Sequence, residues 1–154
     1  MKQLCVIPCG NKKIWDKEPH LGKVEAQNAY TGTFHLLCRQ YAEKFFDDWV
    51  ILSAKHGFLL PEDFVPGNYN VSFSMKTEEV IRLEELNMQA YEKNLHQFNK
   101  FVVLGGKKFR PIIETAVEGE YIYPLQGCTG IGYMQQMLKK RFLQIIVSMI
   151  DRET

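Results

Sequence analysis

The sequence predicts an α/β fold: a single three-layer domain over residues 1–154, with a mostly parallel four-stranded sheet and helices on both faces. Three observations lead there. Four short apolar runs have the unbroken hydrophobicity of strands buried on both faces. Stretches with apolar residues every three or four positions separate them. No linker, internal repeat or low-complexity segment breaks this alternation, which is the pattern of a sheet wrapped by crossover helices. With 154 residues, 45% of them hydrophobic, the chain is long enough to bury one core.

The first run, Leu4–Pro8, ends in the exit loop Cys9-Gly10-Asn11-Lys12-Lys13. Residues Ile14–Gln27 mix charge with Pro19 and Gly22 and read as a long loop, which in a compact domain goes with function or mobility. A helix is expected over Tyr30–Phe46, where Phe34, Leu37, Cys38, Tyr41, Ala42 and Phe45 share a face and Thr31 is the N-cap. Trp49–Ser53 is the second strand. Ser53, Lys55 and His56 follow its apolar run at once, Gly57 permits a turn, and Phe58-Leu59-Leu60 returns to apolar surroundings. Pro66, Gly67, Asn68 and Asn70 mark turns within Pro61–Ser74. Thr77 then caps a helix to about Leu95, with Glu78 and Glu79 at its positive end. Phe101–Leu104 is the third strand, Gly105-Gly106-Lys107-Lys108 its exit, and Phe109–Val117 a short helix with Pro111 in its first turn. Tyr121–Tyr123 is the fourth strand. A glycine-rich loop, Gln126–Gly132, leads into a closing helix over Tyr133–Ile150.

Composition narrows the function classes. The formal net charge is +1, which argues against a global electrostatic grip on nucleic acid and leaves only local basic surface. No apolar run approaches the roughly 18 residues of a membrane span. The run after Met1 is too short, and too soon followed by Pro8 and charge, for a signal peptide, so a cytoplasmic protein with no membrane partner is expected. The four cysteines, Cys5, Cys9, Cys38 and Cys128, lack Cys-x-x-Cys spacing, so no disulfide framework is expected. Cys5 and Cys9 lie four apart on one strand face. Cys9, Cys128, His35 and His56 have no local zinc-ligand spacing, so neither a metal nor a cofactor is expected.

Ligands of open α/β sheets bind beyond the carboxyl ends of the strands. The four exits supply Cys9, Gly10, Asn11 and Lys13; Ser53, Lys55 and His56; Gly105, Lys107 and Arg110; and Gln126 and Gly127. Glycine amides beside cations suit a phosphate. Asn11 and Gln126 carry the paired donor and acceptor of a base-reading group, and Tyr30, Tyr69 or Phe58 a stacking face. Neither a Walker motif nor a dinucleotide fingerprint is present, and Gly105-Gly106 reads more readily as a tight strand-to-helix turn than as a phosphate loop. His56 is the leading acid–base candidate because imidazole titrates near neutral pH. Lys55 would hold a phosphate or developing negative charge, and Asp63 would orient the imidazole or activate a water. His35, near the start of the first helix, reads either as packed or as facing a ligand.

Taken together, Cys9-x-x-x-Lys13, Tyr30-x-Gly32-x-Phe34, Ile51-Leu52-Ser53-Ala54-Lys55-His56-Gly57-Phe58-Leu59, Tyr69-Asn70, Gly105-x-x-x-Phe109-Arg110 and Pro124-Leu125-x-Gly127-x-x-x-Ile131-Gly132 resemble the YaaA-like, DUF6884-type domains of unknown function from bacteria and phages. Gly10 stands where that family more often has serine, and Phe109 where it more often has tyrosine. The resemblance implies a distant likeness to the uracil-DNA-glycosylase fold and a nucleobase, nucleotide or nucleic-acid ligand. On that implication Asn11 and Gln126 would read the base, His56 would stabilise the leaving base, and Asp63 would serve the sugar side of a cleaved N-glycosidic bond. The glycosylase signature Gly-Gln-Asp-Pro-Tyr is absent. Two readings stay open: an N-glycosidic-bond-cleaving enzyme, and a non-catalytic nucleotide- or nucleic-acid-binding module of a stress-response or phage-related system.

Overall fold

A computed structural model describes residues 2–128, 130 and 132–141. The fold is mixed α/β, built on a five-stranded, mostly parallel sheet. Its strands are β1 (Gln3–Pro8), β3 (Trp49–Ser53), β4 (Gly57–Leu59), β6 (Lys100–Val103) and β7 (Glu120–Ile122), in the order β4-β3-β1-β6-β7. A separate two-stranded sheet pairs β2 (Val24–Glu25) with β5 (Phe64–Val65). The helices are α1 (Ala26–Ala29), α2 (Thr33–Phe45), α3 (Leu83–Glu92) and α4 (Arg110–Ala116), and residues 132–141 are also helical. The remainder of the closing helix expected to Ile150 lies outside the described residues.

β1 is the centre. It pairs in parallel with β3, Val6 opposite Val50, and with β6, Cys5 opposite Val102. Alternation along these strands sorts their side chains into two apolar clusters. Cys5, Ile7, Trp49, Ile51 and Val102 join α2 residues Cys38, Tyr41 and Ala42. Leu4, Val6, Val50, Leu52, Phe101 and Val103 join Leu86 and Ala90 of α3 and Ile113 and Ala116 of α4. Cys5 and Cys9 do share a face: Cys5 lies in the first cluster and Cys9 packs against it.

The expected four-strand count is corrected to five. The extra strand, β4, pairs antiparallel with β3, Ile51 opposite Leu59 and Ser53 opposite Gly57. Three residues that begin with a glycine carry too little pattern to be read as a strand, and the ladder to β3 defines it. Gly57 sits at φ +76°, and a Cβ there would meet Gln89 Oε1 at 2.1 Å and Ile81 Cδ1 at 2.6 Å. The Gln89 side chain fills that space and staples the hairpin to α3. Its Oε1 accepts from Phe58 N at 2.8 Å and its Nε2 donates to His56 O at 2.9 Å. The helix expected from Thr77 begins only at Leu83, because Ile81 N donates to Ala54 O at 2.7 Å and draws that segment onto the hairpin. The cap of α2 is Gly32 rather than Thr31, and the loop expected over Ile14–Gln27 holds a 3-10 turn, Ile14–Asp16, together with β2 and the start of α1.

Candidate functional site

The exit of β1 folds back on the segment before α2. Lys13 bridges Tyr30, and Thr31 N donates to Lys12 O at 3.1 Å. This brings Cys9, Lys13 and Tyr30 to the end of β3, where Ser53 and Tyr69 are also buried. Ser53 Oγ shares a hydrogen bond with the Tyr69 hydroxyl at 2.8 Å, and the Tyr69 and Tyr30 hydroxyls are themselves hydrogen-bonded. Ser53 Oγ also accepts from His56 N at 3.0 Å and Lys55 N at 3.3 Å, which shapes the turn into β4.

Lys13 is 2% exposed, unusual for an ammonium. Its Nζ donates to Asn11 O at 3.1 Å and lies 4.3 Å from the Tyr69 ring centroid, a cation–π distance. Asp16 Oδ2 accepts from Lys13 N at 2.8 Å and its Oδ1 from Asn68 Nδ2 at 3.1 Å. Burial lowers the affinity of the Lys13 amine for its proton, and the nearby Cys9 and Asp16 partly offset this. Burial likewise pushes the Cys9 thiol up, against the pull of the Ala54 backbone, Lys13 and the Tyr69 hydroxyl. Both groups are drawn toward their neutral forms. Burial raises Tyr69 and Tyr30 as well.

The half-buried His56 ring meets Tyr69 edge-on, centroids 5.0 Å apart, and its pKa is lowered by burial and by Lys55. The exposed Lys55 reaches within 5.8 Å of the same ring. Asp63 stands apart from this group. Its Oδ2 accepts from Leu60 N and from Lys93 Nζ, both at 2.7 Å, and so closes the turn after β4. The structure therefore gives the carboxylate expected to orient the imidazole a turn and an ion pair to hold instead.

A cleft of about 890 Å³ opens beside the network. Pro8, Cys9, Gly10, Asn11 and Lys12 line it from β1, the first turn of α2 from Gly32 to His35, and Gly106 to Phe109 beyond β6. Gly127, Cys128, Gly130, Met134 and Gln135 complete the wall. A smaller hollow of about 190 Å³ shares Gly106, Lys107, Gly127 and Cys128 with the cleft and adds Gly105, Arg110 and Gln126. The candidates thus fall into two groups. Cys9, Lys13, Tyr30, Ser53, Lys55, His56 and Tyr69 gather round one tyrosine; Gly10, Asn11, Gly105, Lys107, Arg110, Gln126 and Gly127 line open space. Cys9 belongs to both, whereas Ser53, Lys55 and His56 are not among the lining residues of the cleft.

Two of the glycines have structural duties. A Cβ on Gly105 would lie 2.5 Å from the Phe109 ring, so that ring packs where a side chain at this position would stand. Gly127 takes φ +92°, a left-handed conformation that glycine adopts without strain. Arg110 is exposed, lies over the Tyr123 ring at 4.5 Å and approaches Glu114 at 3.8 Å. The residue that sequence reasoning left undecided is His35. It is 2% exposed, its Nδ1 lies 2.9 Å from Pro8 O, and its buried Nε2 has no hydrogen-bond partner among the described residues. Among those residues no helix is long and apolar enough to cross a membrane.

Comparison with known proteins gives two findings. The model of a family of unknown function, DUF6884, matches residues 4–140. The chain is also 49% identical over 142 residues to the uncharacterized protein YfjM of Bacillus subtilis (strain 168), covering 91% of this chain and 95% of that protein.

Proposed function

We propose that this chain, which belongs to the DUF6884 family of unknown function, is a nucleobase- or nucleotide-handling protein whose ligand enters the cleft between the ends of β1 and β6. One observation carries the reading. From β1 the chain passes through α2 to β3 on one side, and from β6 through α4 to β7 on the other. The carboxyl ends of β1 and β6 therefore flank the place where strand order reverses, which is where open α/β sheets take their ligands. The cleft lies there, and its volume falls in the range of small-molecule sites.

The lining suits a phosphorylated ligand. The amides of Gly106 and of the first turn of α2 are donors, and Lys107 and Lys108 supply local positive charge to a nearly neutral molecule. Asn11 offers both a donor and an acceptor to a base edge. All four cysteines are free, which fits a reducing compartment such as the cytoplasm. Thermal-shift and calorimetric titration with nucleobases, nucleosides, nucleoside monophosphates and short single strands tests the reading. A nucleotide is expected to raise the melting temperature. Replacing Lys107 and Lys108 with Ala should weaken phosphate-bearing ligands while sparing nucleosides. Silence of the whole panel at millimolar concentration contradicts it.

A second reading, N-glycosidic-bond cleavage of the kind the sequence resemblance implies, is favoured by the placement of Cys9, which joins the cleft to the buried Lys13–Tyr69–Ser53 network. Asp63 is held by Lys93, so on this reading proton handling falls to Cys9, Lys13, Tyr69 and His56. Base release from uracil- or hypoxanthine-containing oligonucleotides or nucleosides supports it. Salt-dependent DNA binding with no product selects the non-catalytic module instead.

A further inference from the structure

We infer that His35 Nε2 is the acceptor that reads a hydrogen-bond donor on the ligand, fixing which end of that ligand enters the cleft beside Gly10. The inference rests on the nucleotide-handling reading above and specifies the chemistry of its ligand.

The tautomer follows from the backbone. Pro8 O has lone pairs only, so the 2.9 Å contact requires the proton on His35 Nδ1. Nε2 of a neutral imidazole is then a bare lone pair. Burial holds the ring in that neutral form, with a pKa of about 4. The Tyr30 ring, at 5.0 Å between centroids, supports one side of it. A buried acceptor without a partner is costly, and the great majority of such groups are satisfied. His35 is among the lining residues of the cleft. A Cβ on Gly10 would stand 3.8 Å from the His35 Cβ, so the lightest residue lies beside the root of the His35 side chain.

The surroundings give the ligand a direction. The rest of the cleft is rich in donors: Lys12, Lys107, Lys108, the amide of Gly106 and the first-turn amides of α2, which has neither a side-chain cap nor an acid in that turn. A phosphate belongs among those donors and is repelled by the Nε2 lone pair. The group that meets His35 is therefore a neutral N–H or O–H. Two parts of a nucleotide carry such donors, the base and the sugar.

The test is a titration of ¹⁵N-histidine-labelled protein, followed by NMR, with guanosine 5′-monophosphate, uridine 5′-monophosphate, guanine, uracil and ribose 5-phosphate. Loss of one imidazole in the His35→Phe variant assigns the signal. Expected is a His35 Nε2 resonance of lone-pair type at neutral pH that moves upfield on binding, with about a tenfold or greater loss of affinity in His35→Phe. A shift with free bases assigns the donor to the base; a shift only with the nucleotides and ribose 5-phosphate assigns it to the sugar. The NMR shift is read on the wild-type protein, so it stands even where the variant folds poorly. Binding that perturbs the Gly106 and Lys107 amides but leaves Nε2 unmoved, with affinity retained in His35→Phe, overturns this inference and leaves the functional reading intact. Failure of every probe to bind overturns both.

Discussion

Buried charge and buried imidazole mark the residues whose chemistry exceeds what folding asks of them. Lys13 Nζ has a backbone carbonyl and an aromatic face for company, an arrangement that structure alone gives little reason to keep. Lys13→Met, close in shape and uncharged, is predicted to be as stable as the parent or about 1 kcal/mol more stable in urea titration. A loss of about 3 kcal/mol instead makes the lysine a structural strut. His35 makes a pH prediction whose sign follows from its neutral burial. Its folded pKa of about 4 lies below the ordinary value of 6.5, so the unfolded chain binds more protons between those limits. The His35 contribution is complete above pH 6.5 and is lost as pH falls toward 4, by about 3 kcal/mol in all. His56, lowered by burial and Lys55, adds in the same direction. Denaturation at pH 7 and pH 4.5 should show this loss in the parent and much less of it in His35→Gln.

Among elements, the β3–β4 hairpin carries the most interlocked geometry. Gly57→Ala would place a methyl group at a left-handed φ and into Gln89, and is predicted to cost about 2–3 kcal/mol in chemical denaturation. Gln89→Ala leaves Phe58 N and His56 O without their partner and should cost a similar amount, about 1–3 kcal/mol. The two substitutions remove one contact, so the double variant should lose less than the sum. These elements also show what the sequence discloses. The three-and-four spacing from Phe34 to Phe45 marks α2 because its buried face is continuous, and β1 and β3 are legible because both faces are apolar. β4 and the start of α3 are not legible, since the ladder to Ile51 and the bond from Ile81 to Ala54 are contacts between distant segments. The same division holds in the site. Cys9, Lys13, Ser53 and His56 declare themselves as polar residues at strand ends. The unsatisfied Nε2 of His35 depends on Pro8 O, and the diversion of Asp63 to Lys93 on a fold-back, and neither leaves a local signature.

For the whole molecule, the decisive feature is the sheet order. Placing β1 between β3 and β6 sends the following connections in opposite directions and opens a cleft where they part. The buried tyrosine–lysine network lies behind one wall of that cleft, with Cys9 common to both. Lys12, Lys107 and Lys108 line the cleft, so on the proposed reading the grip on a ligand is local in a protein of net charge +1. The most direct measurement is an amide chemical-shift map of the protein titrated with nucleoside monophosphates. Saturable shifts centred on Gly10, Asn11, Thr33, Gly106 and Lys107 are predicted. Shifts confined to α3 or to the β7 edge, or no saturable shift from any of them, would contradict the account.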